Sequence, residues 1–169
     1  TASAQAAGGS GALRLGAEII KSAAPDATVW VSTPTWANHI PLISSAGLKM
    51  GKYPYYNRET LGVDFEDMVA HLDAKAKAGD VVLLHGCCHN PTGADLSPAQ
   101  WDKLADFMVA KELTPYVDLA YFGLMQTRLY GRDVMISRTG YTGERGYEIF
   151  CRGKDATHLW DSILEAGKD

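Results

Sequence analysis

The sequence predicts an α/β fold of three layers (αβα), a mainly parallel sheet between two layers of helices, plus a C-terminal β-hairpin and helix. Three observations carry this. Strand-like and helix-like segments alternate over roughly the first 120 residues, the pattern of crossover units whose helices cover both faces of a parallel sheet. The strand candidates Thr28-Val29-Trp30-Val31-Ser32 and Asp80-Val81-Val82-Leu83-Leu84 are apolar runs without polar alternation, as burial on both faces requires. About the last fifty residues instead alternate around glycine-rich turns, the texture of half-exposed antiparallel strands.

The bulk numbers bound the chain without specifying it. With 169 residues, 46% of them hydrophobic and 21% charged, it has about the length of one domain and can bury a sizeable core. The net charge is -4 with no basic cluster, which argues against nucleic acid as a partner. Apolar runs are far too short for a membrane span and no signal-peptide pattern is present, so the cytoplasm or a mitochondrial matrix is the expected setting. Three cysteines, two of them adjacent, cannot build a disulfide framework, which suits a reducing compartment.

In order, residues 1–9 are small and polar, with room for a short edge strand. A helix is expected from Ser10, as N-cap, to Ser22, stopped by Pro25. A strand at 28–32 leads to a loop at Pro34 and a helix from Trp36 to Ser45. Leu48 to Tyr56 reads as a strand. Asp64 to Lys77 reads as a helix with Phe65, Met68, Val69 and Leu72 on one face, closed by Gly79. After the central strand, a helix runs from Ser97 to Lys111, with Ser97 as N-cap and Pro98 in its first turn. Thr114 to Leu119 is the next strand. The hairpin pairs 133–138 with 147–151, and a helix at 155–165 closes the chain.

The central strand empties into His85-Gly86-Cys87-Cys88-His89-Asn90-Pro91-Thr92-Gly93. Open α/β sheets bind ligands beyond the carboxyl ends of their strands. Three other segments are expected at the same edge: Gly8-Gly9-Ser10-Gly11, Pro34-Thr35-Trp36 and Asp118-Leu119-Ala120-Tyr121. If they share a crevice, they supply a phosphate cradle (Gly9, Ser10, Gly11), a flat aromatic surface (Trp36), an amide (Asn90), a carboxylate (Asp118) and a phenol (Tyr121). A phosphorylated, protonatable heterocycle with a ring oxygen needs that set, and pyridoxal phosphate is such a cofactor. Blander readings stand beside this one: a plain capped helix at Ser10, a helix cap at Asp118, a core aromatic at Trp36. His85, Cys87, Cys88 and His89 invite a zinc reading, but adjacent cysteines at a strand end are expected to point opposite ways, and metal motifs space their ligands by turns.

Four segments also resemble a known family. Gly8–Arg14, Val29–His39, the Cys-Cys-His-Asn-Pro-Thr-Gly-Ala-Asp loop (87–95) and Val-Asp-Leu-Ala-Tyr (117–121) are similar to the large domain of aspartate and aromatic aminotransferases, pyridoxal-phosphate enzymes of fold type I. The resemblance covers residues 1–122. It implies that Gly9 and Ser10 hold the phosphate, Trp36 stacks on the ring, Asn90, Asp118 and Tyr121 hold the ring oxygen and nitrogen, and His39 supports the carboxylate from behind. It also implies amino-acid and 2-oxo-acid substrates and a homodimer. The family's Schiff-base lysine should follow tens of residues later in a Ser/Lys/Asn-rich loop. The lysines after Asp118 are Lys154 and Lys168, in contexts that do not match. The expectation is a fragment that binds the cofactor weakly and non-covalently and transaminates poorly, or a non-enzymatic scaffold.

Residues 123–169 carry a second resemblance. Ile136–Phe150, with Leu159-Trp160-Asp161 and Glu165-Ala166-Gly167, looks like the folate-dependent aminomethyltransferase (T protein) of the glycine cleavage system. It implies that Tyr141 and Glu148 are relics of a folate pocket, and that the chain is a chimera joined near residues 122–132.

Overall fold

The structure is a computed structural model and describes residues 2–119, 124–137 and 147–168. It divides into two compact units, Thr1–Ala120 and Tyr121–Asp169.

The first unit contains α1 (Gly8–Ala23), β1 (Thr28–Thr33), α2 (His39–Ser44), β2 (Lys49–Pro54), β3 (Tyr56–Asn57), β4 (Gly62–Val63), α3 (Phe65–Lys75), β5 (Val81–His85), α4 (Pro98–Ala110) and β6 (Thr114–Asp118). Strands β2-β1-β5-β6 form one sheet, parallel at every junction, as the sequence predicts. The apolar run of β5 explains the three layers. Val81 and Leu83 join Val29 and Val31 of β1 in a core with Leu13 and Ala17 of α1 and Ile43 of α2. Val82 and Leu84 turn the other way, into a core with Phe65, Met68 and Leu72 of α3 and Leu104 and Met108 of α4. A strand packed on both faces has no polar side to show.

Asp80, just before β5, is a buried carboxylate with three donors: the Thr28 N–H at 2.9 Å, Trp30 Nε1–H at 3.0 Å and the Lys77 N–H at 3.0 Å. They satisfy the charge and pin the start of β1 to the turn that feeds β5.

Several boundaries differ from expectation. Helix α1 starts at Gly8 and its N-cap is Ala7, with no side-chain cap, so Ser10 lies in the first turn and is not the cap. No strand precedes α1 among the described residues. Helix α2 begins at His39 rather than Trp36. The strand expected to reach Tyr56 ends at Pro54, and Tyr56–Asn57 pairs antiparallel with Gly62–Val63 as a separate ribbon.

The second unit holds β7 (Leu124–Leu129), β8 (Arg132–Ser137), β9 (Glu148–Phe150) and α5 (Ala156–Ala166). Its strands form an antiparallel sheet in the order β7-β8-β9, so the expected hairpin of β8 and β9 is present with a third strand ahead of it. Leu159 of α5 is buried, and His158 Nε2 donates to the Tyr130 carbonyl at 3.2 Å.

Candidate functional site

The sheet order places the site. From β1 the chain steps outward to β2, then returns to the other side of β1 for β5 and continues to β6. The order therefore reverses between β1 and β5, and the crevice beyond their carboxyl ends is where open α/β sheets collect ligands. Thr35, Trp36 and His39 follow β1, His85 ends β5, and Asp118 ends β6 directly opposite His85 in the parallel register.

These residues are joined by one chain of hydrogen bonds. His39 Nε2 lies 2.9 Å from Asp118 Oδ2, and because a carboxylate only accepts, that nitrogen carries the proton. Thr35 Oγ1 stands 2.7 Å from His39 Nδ1 and 3.3 Å from His85 Nε2. The Asn90 N–H points at His85 Nδ1, 3.4 Å away. One assignment satisfies every member: Asn90 N–H donates to His85, His85 Nε2–H to Thr35, the Thr35 hydroxyl to His39 Nδ1, and His39 Nε2–H to Asp118. All the donors then run toward the carboxylate. The rings pack as well, His39 edge-on to His85 at 4.9 Å and Trp36 edge-on to His39 at 5.3 Å.

A second arm fixes the loop that carries Asn90. His89 is fully buried, its Nε2 3.0 Å from Ser32 Oγ and its Nδ1 2.8 Å from Thr92 Oγ1, while its ring stacks on Tyr55 at 4.0 Å. Asp95 accepts the N–H groups of Cys88 and His89, both at 2.8 Å. Burial, reinforced by the neighbouring His89 and His39 and opposed by Asp118, pushes His85 down to about 3. Burial also pushes His89 down to about 4, against the pull of Asp95. Both rings stay neutral at ordinary pH, and for His85 the acceptor role of Nδ1 toward the Asn90 N–H requires it.

The glycine-rich helix start reaches the same edge. Tyr116 of β6 donates from its hydroxyl to the Leu13 carbonyl at 2.6 Å. From that contact, Asp118 lies two residues further along β6, ~6.6 Å at strand rise, and Ser10 lies about one helical turn back, ~5 Å at helix rise. Asp118 ends its strand at the carboxyl end of the sheet, and the short link 24–27, which joins the end of α1 to the beginning of β1, turns the start of α1 toward that same end. The first-turn N–H groups of Gly9 and Ser10 have no partner within the helix, which is what an anion takes up, whereas that of Gly11 makes the first intrahelical bond, to the Ala7 carbonyl.

Of the residues singled out from sequence, Trp36, His39 and Asp118 thus meet in one network, Asn90 joins it through its backbone N–H and not through the side-chain amide the sequence reading used, and Gly9, Ser10 and Gly11 stand at the same end of the sheet. Tyr121 and Tyr141 lie outside the described residues, and so does the side chain of Glu148 in β9. Sequence reasoning missed Thr35, the link between two histidines, and assigned no role to His85 and His89. Alternation within β5 could have shown that His85 ends on the face of Val81 and Leu83, the face of α2. The expectation that Cys87 and Cys88 point opposite ways presumed extended backbone, whereas Cys88 is left-handed, with φ 52.

Among the described residues, no bond reaches Asp118 Oδ1, and the carboxylate is half-buried at the crevice. It can therefore accept an N–H from a ligand while His39 holds the other oxygen. The family model for aminotransferase class I and II matches residues 1–139. The chain belongs to this family.

Its relatives agree. The chain is 51% identical over 122 residues to tyrosine aminotransferase of Klebsiella pneumoniae, covering 72% of the chain. It is 41% identical over 146 residues to the chloroplastic aspartate aminotransferase of Arabidopsis thaliana, covering 86% of the chain and 31% of that protein. Its fold matches the Burkholderia pseudomallei aromatic-amino-acid aminotransferase covalently bound to pyridoxal phosphate, with TM-score 0.68, 46% identity, and coverage of 70% of this chain and 29% of that one. The chain spans about 30% of the length of the curated relatives it matches.

Proposed function

We propose that this chain carries the cofactor-holding part of an aspartate or aromatic amino-acid aminotransferase and binds pyridoxal 5'-phosphate without a covalent link. The observation that carries the reading is the Asp118–His39 pair at the switch point, with one carboxylate oxygen left to accept. Asp118 accepts the ring N–H and holds that proton on the nitrogen, and His39 keeps the carboxylate turned toward it. Gly9 and Ser10 hold the phosphate through free backbone N–H groups, in the glycine-rich turn that Gly11 completes. Trp36 covers one ring face, and Asn90 with Tyr121 donates to the ring oxygen. When bound, the cofactor supplies an electron-withdrawing ring to amino-acid chemistry. The substrates are an amino acid and a 2-oxo acid, the working form is a homodimer, and the setting is the cytoplasm. No lysine of this chain stands in the context expected for Schiff-base formation, so binding is weak and transamination by these residues alone is impaired.

Titration with pyridoxal phosphate tests this. A shifted cofactor absorbance band and quenched tryptophan emission are expected, both weakened about tenfold or more in Asp118→Asn, which keeps the shape but lowers the charge. No change at millimolar cofactor overturns the reading and leaves a scaffold whose pocket residues are relics.

A second reading concerns residues 123–169, a T-protein-like segment with Tyr141 and Glu148 as folate contacts. The compact-unit boundary between Ala120 and Tyr121 supports a join there. The family match out to residue 139 weighs the other way. Stabilisation by tetrahydrofolate that disappears in Glu148→Ala is the outcome this reading requires.

A further inference from the structure

We propose that Cys87 and Cys88 are a redox-active pair that closes into a disulfide between adjacent residues by exchange with a low-molecular-weight disulfide. Both are half-buried and neither is in a disulfide. In extended backbone, consecutive side chains point to opposite faces, which would keep the thiols apart. The left-handed conformation of Cys88, φ 52, breaks that alternation at the second cysteine. Bonds on both sides hold the turn. Gly86 N–H donates to the Asp118 carbonyl at 2.8 Å, and Asp95 accepts the N–H groups of Cys88 and His89, each at 2.8 Å. Closing the ring in a turn already held this way gives up less chain entropy than closing it in a loose peptide. The product is labile. Adjacent Cα atoms are ~3.8 Å apart across a trans peptide, less than the ~4.4–6.8 Å a disulfide ordinarily spans. Strain of this kind makes a bond easy to reduce, a property of switches rather than of staples. The loop that carries the pair follows His85 at the end of β5 and also carries His89 and Asn90, so closure would be felt at the crevice.

The exchange balances. One cysteine thiolate attacks a sulfur of the small disulfide, forming a mixed disulfide and expelling a small thiolate, which takes up the proton the cysteine gave. The neighbouring thiolate then attacks the cysteine sulfur of that mixed disulfide, forming the ring and expelling a second small thiolate, again protonated at the cysteine's expense. Two protein thiols are oxidised and one small disulfide is reduced to two thiols.

Cys151 is exposed and would form an adduct of its own, so the test uses the full chain carrying Cys151→Ser. With 2,2'-dithiodipyridine, the expected result is release of two pyridine-thiones per chain, a mass lower by two hydrogens and no retained pyridyl group. A further Cys87→Ser or Cys88→Ser should release one and keep one adduct. The second release should be about tenfold or more faster in buffer than in concentrated urea, because the fold presets the turn. Two retained pyridyl groups, disulfide-linked pairs of chains in place of the ring, or a second release no faster in the folded chain would each overturn the proposal.

Discussion

Thr35 and Gly16 show how much can hang on one small residue. Thr35 Oγ1 is the only atom that touches both His39 Nδ1 and His85 Nε2 among the described residues. Thr35→Val keeps the volume but leaves a ring nitrogen on each histidine without its partner, at a cost of about 1–3 kcal/mol. Urea unfolding should show a lower midpoint with an unchanged slope, and Thr35→Ser should recover most of it. Gly16 reverses a general rule. An alanine inside a helix is ordinarily better than glycine by about 1 kcal/mol. Here the added methyl would meet the Tyr116 ring, with Cζ only 2.8 Å away. Overpacking costs about 1–3 kcal/mol, and the Tyr116–Leu13 bond that ties α1 to β6 has to shift with it. Gly16→Ala should therefore lower the melting temperature despite its better propensity, and a neutral or stabilised variant would show that α1 can move away at no cost.

At the scale of elements, helix α4 has the best-defined start. Ser97 Oγ accepts from the Gln100 N–H at 3.3 Å, and the Gln100 side chain accepts the Ser97 N–H at 2.9 Å, a reciprocal capping box with Pro98 behind it. Ser97→Ala should cost about 1 kcal/mol, measured as a loss of helix stability by thermal circular dichroism. This start was legible because Ser-Pro-Ala-Gln announces it in side chains. The start of α1 was not, because Gly8 at φ 67 and Ala7 do the work with backbone alone. Strand β7 was hidden for a similar reason. It joins β8 through a two-residue turn, Tyr130-Gly131, both left-handed at φ 47 and 76, with Leu129 opposite Arg132. Such turns are read from Asn-Gly or Gly-Gly, and tyrosine at the first position gives no such signal. The placement of Trp36 and Asp118 around one strand-end cluster was legible from their positions after β1 and β6, whereas Asn90 enters that cluster by its backbone N–H, which no side chain announces. Thr35 was not, because a threonine beside a proline is ordinary loop chemistry until the two histidines are seen on either side of it.

For the whole molecule, the neutral histidines decide how stability depends on pH. In the unfolded chain a histidine takes up its proton near 6.5, whereas His89 holds out until about 4 and His85 until about 3. Across that window the unfolded state binds more protons, so acid favours unfolding. The stabilisation is complete above about pH 6.5 and is lost progressively as pH falls toward the folded values. The slope is about 1.4 kcal/mol per pH unit for each histidine protonated only in the unfolded state. His89 and His85 both have folded values below pH 5, so each should approach that figure toward the acid end of the window. Carboxylates titrate mostly below about pH 5, so the interval from pH 6.5 to 5 reports mainly on histidines. Urea midpoints taken across it should decline in the parent chain and decline distinctly less in His89→Gln, whose amide can still reach Ser32 and Thr92. Equal slopes in the two would mean that His89 does not couple folding to acid, and the neutral, buried histidine cluster would lose its place in the energetics of the fold.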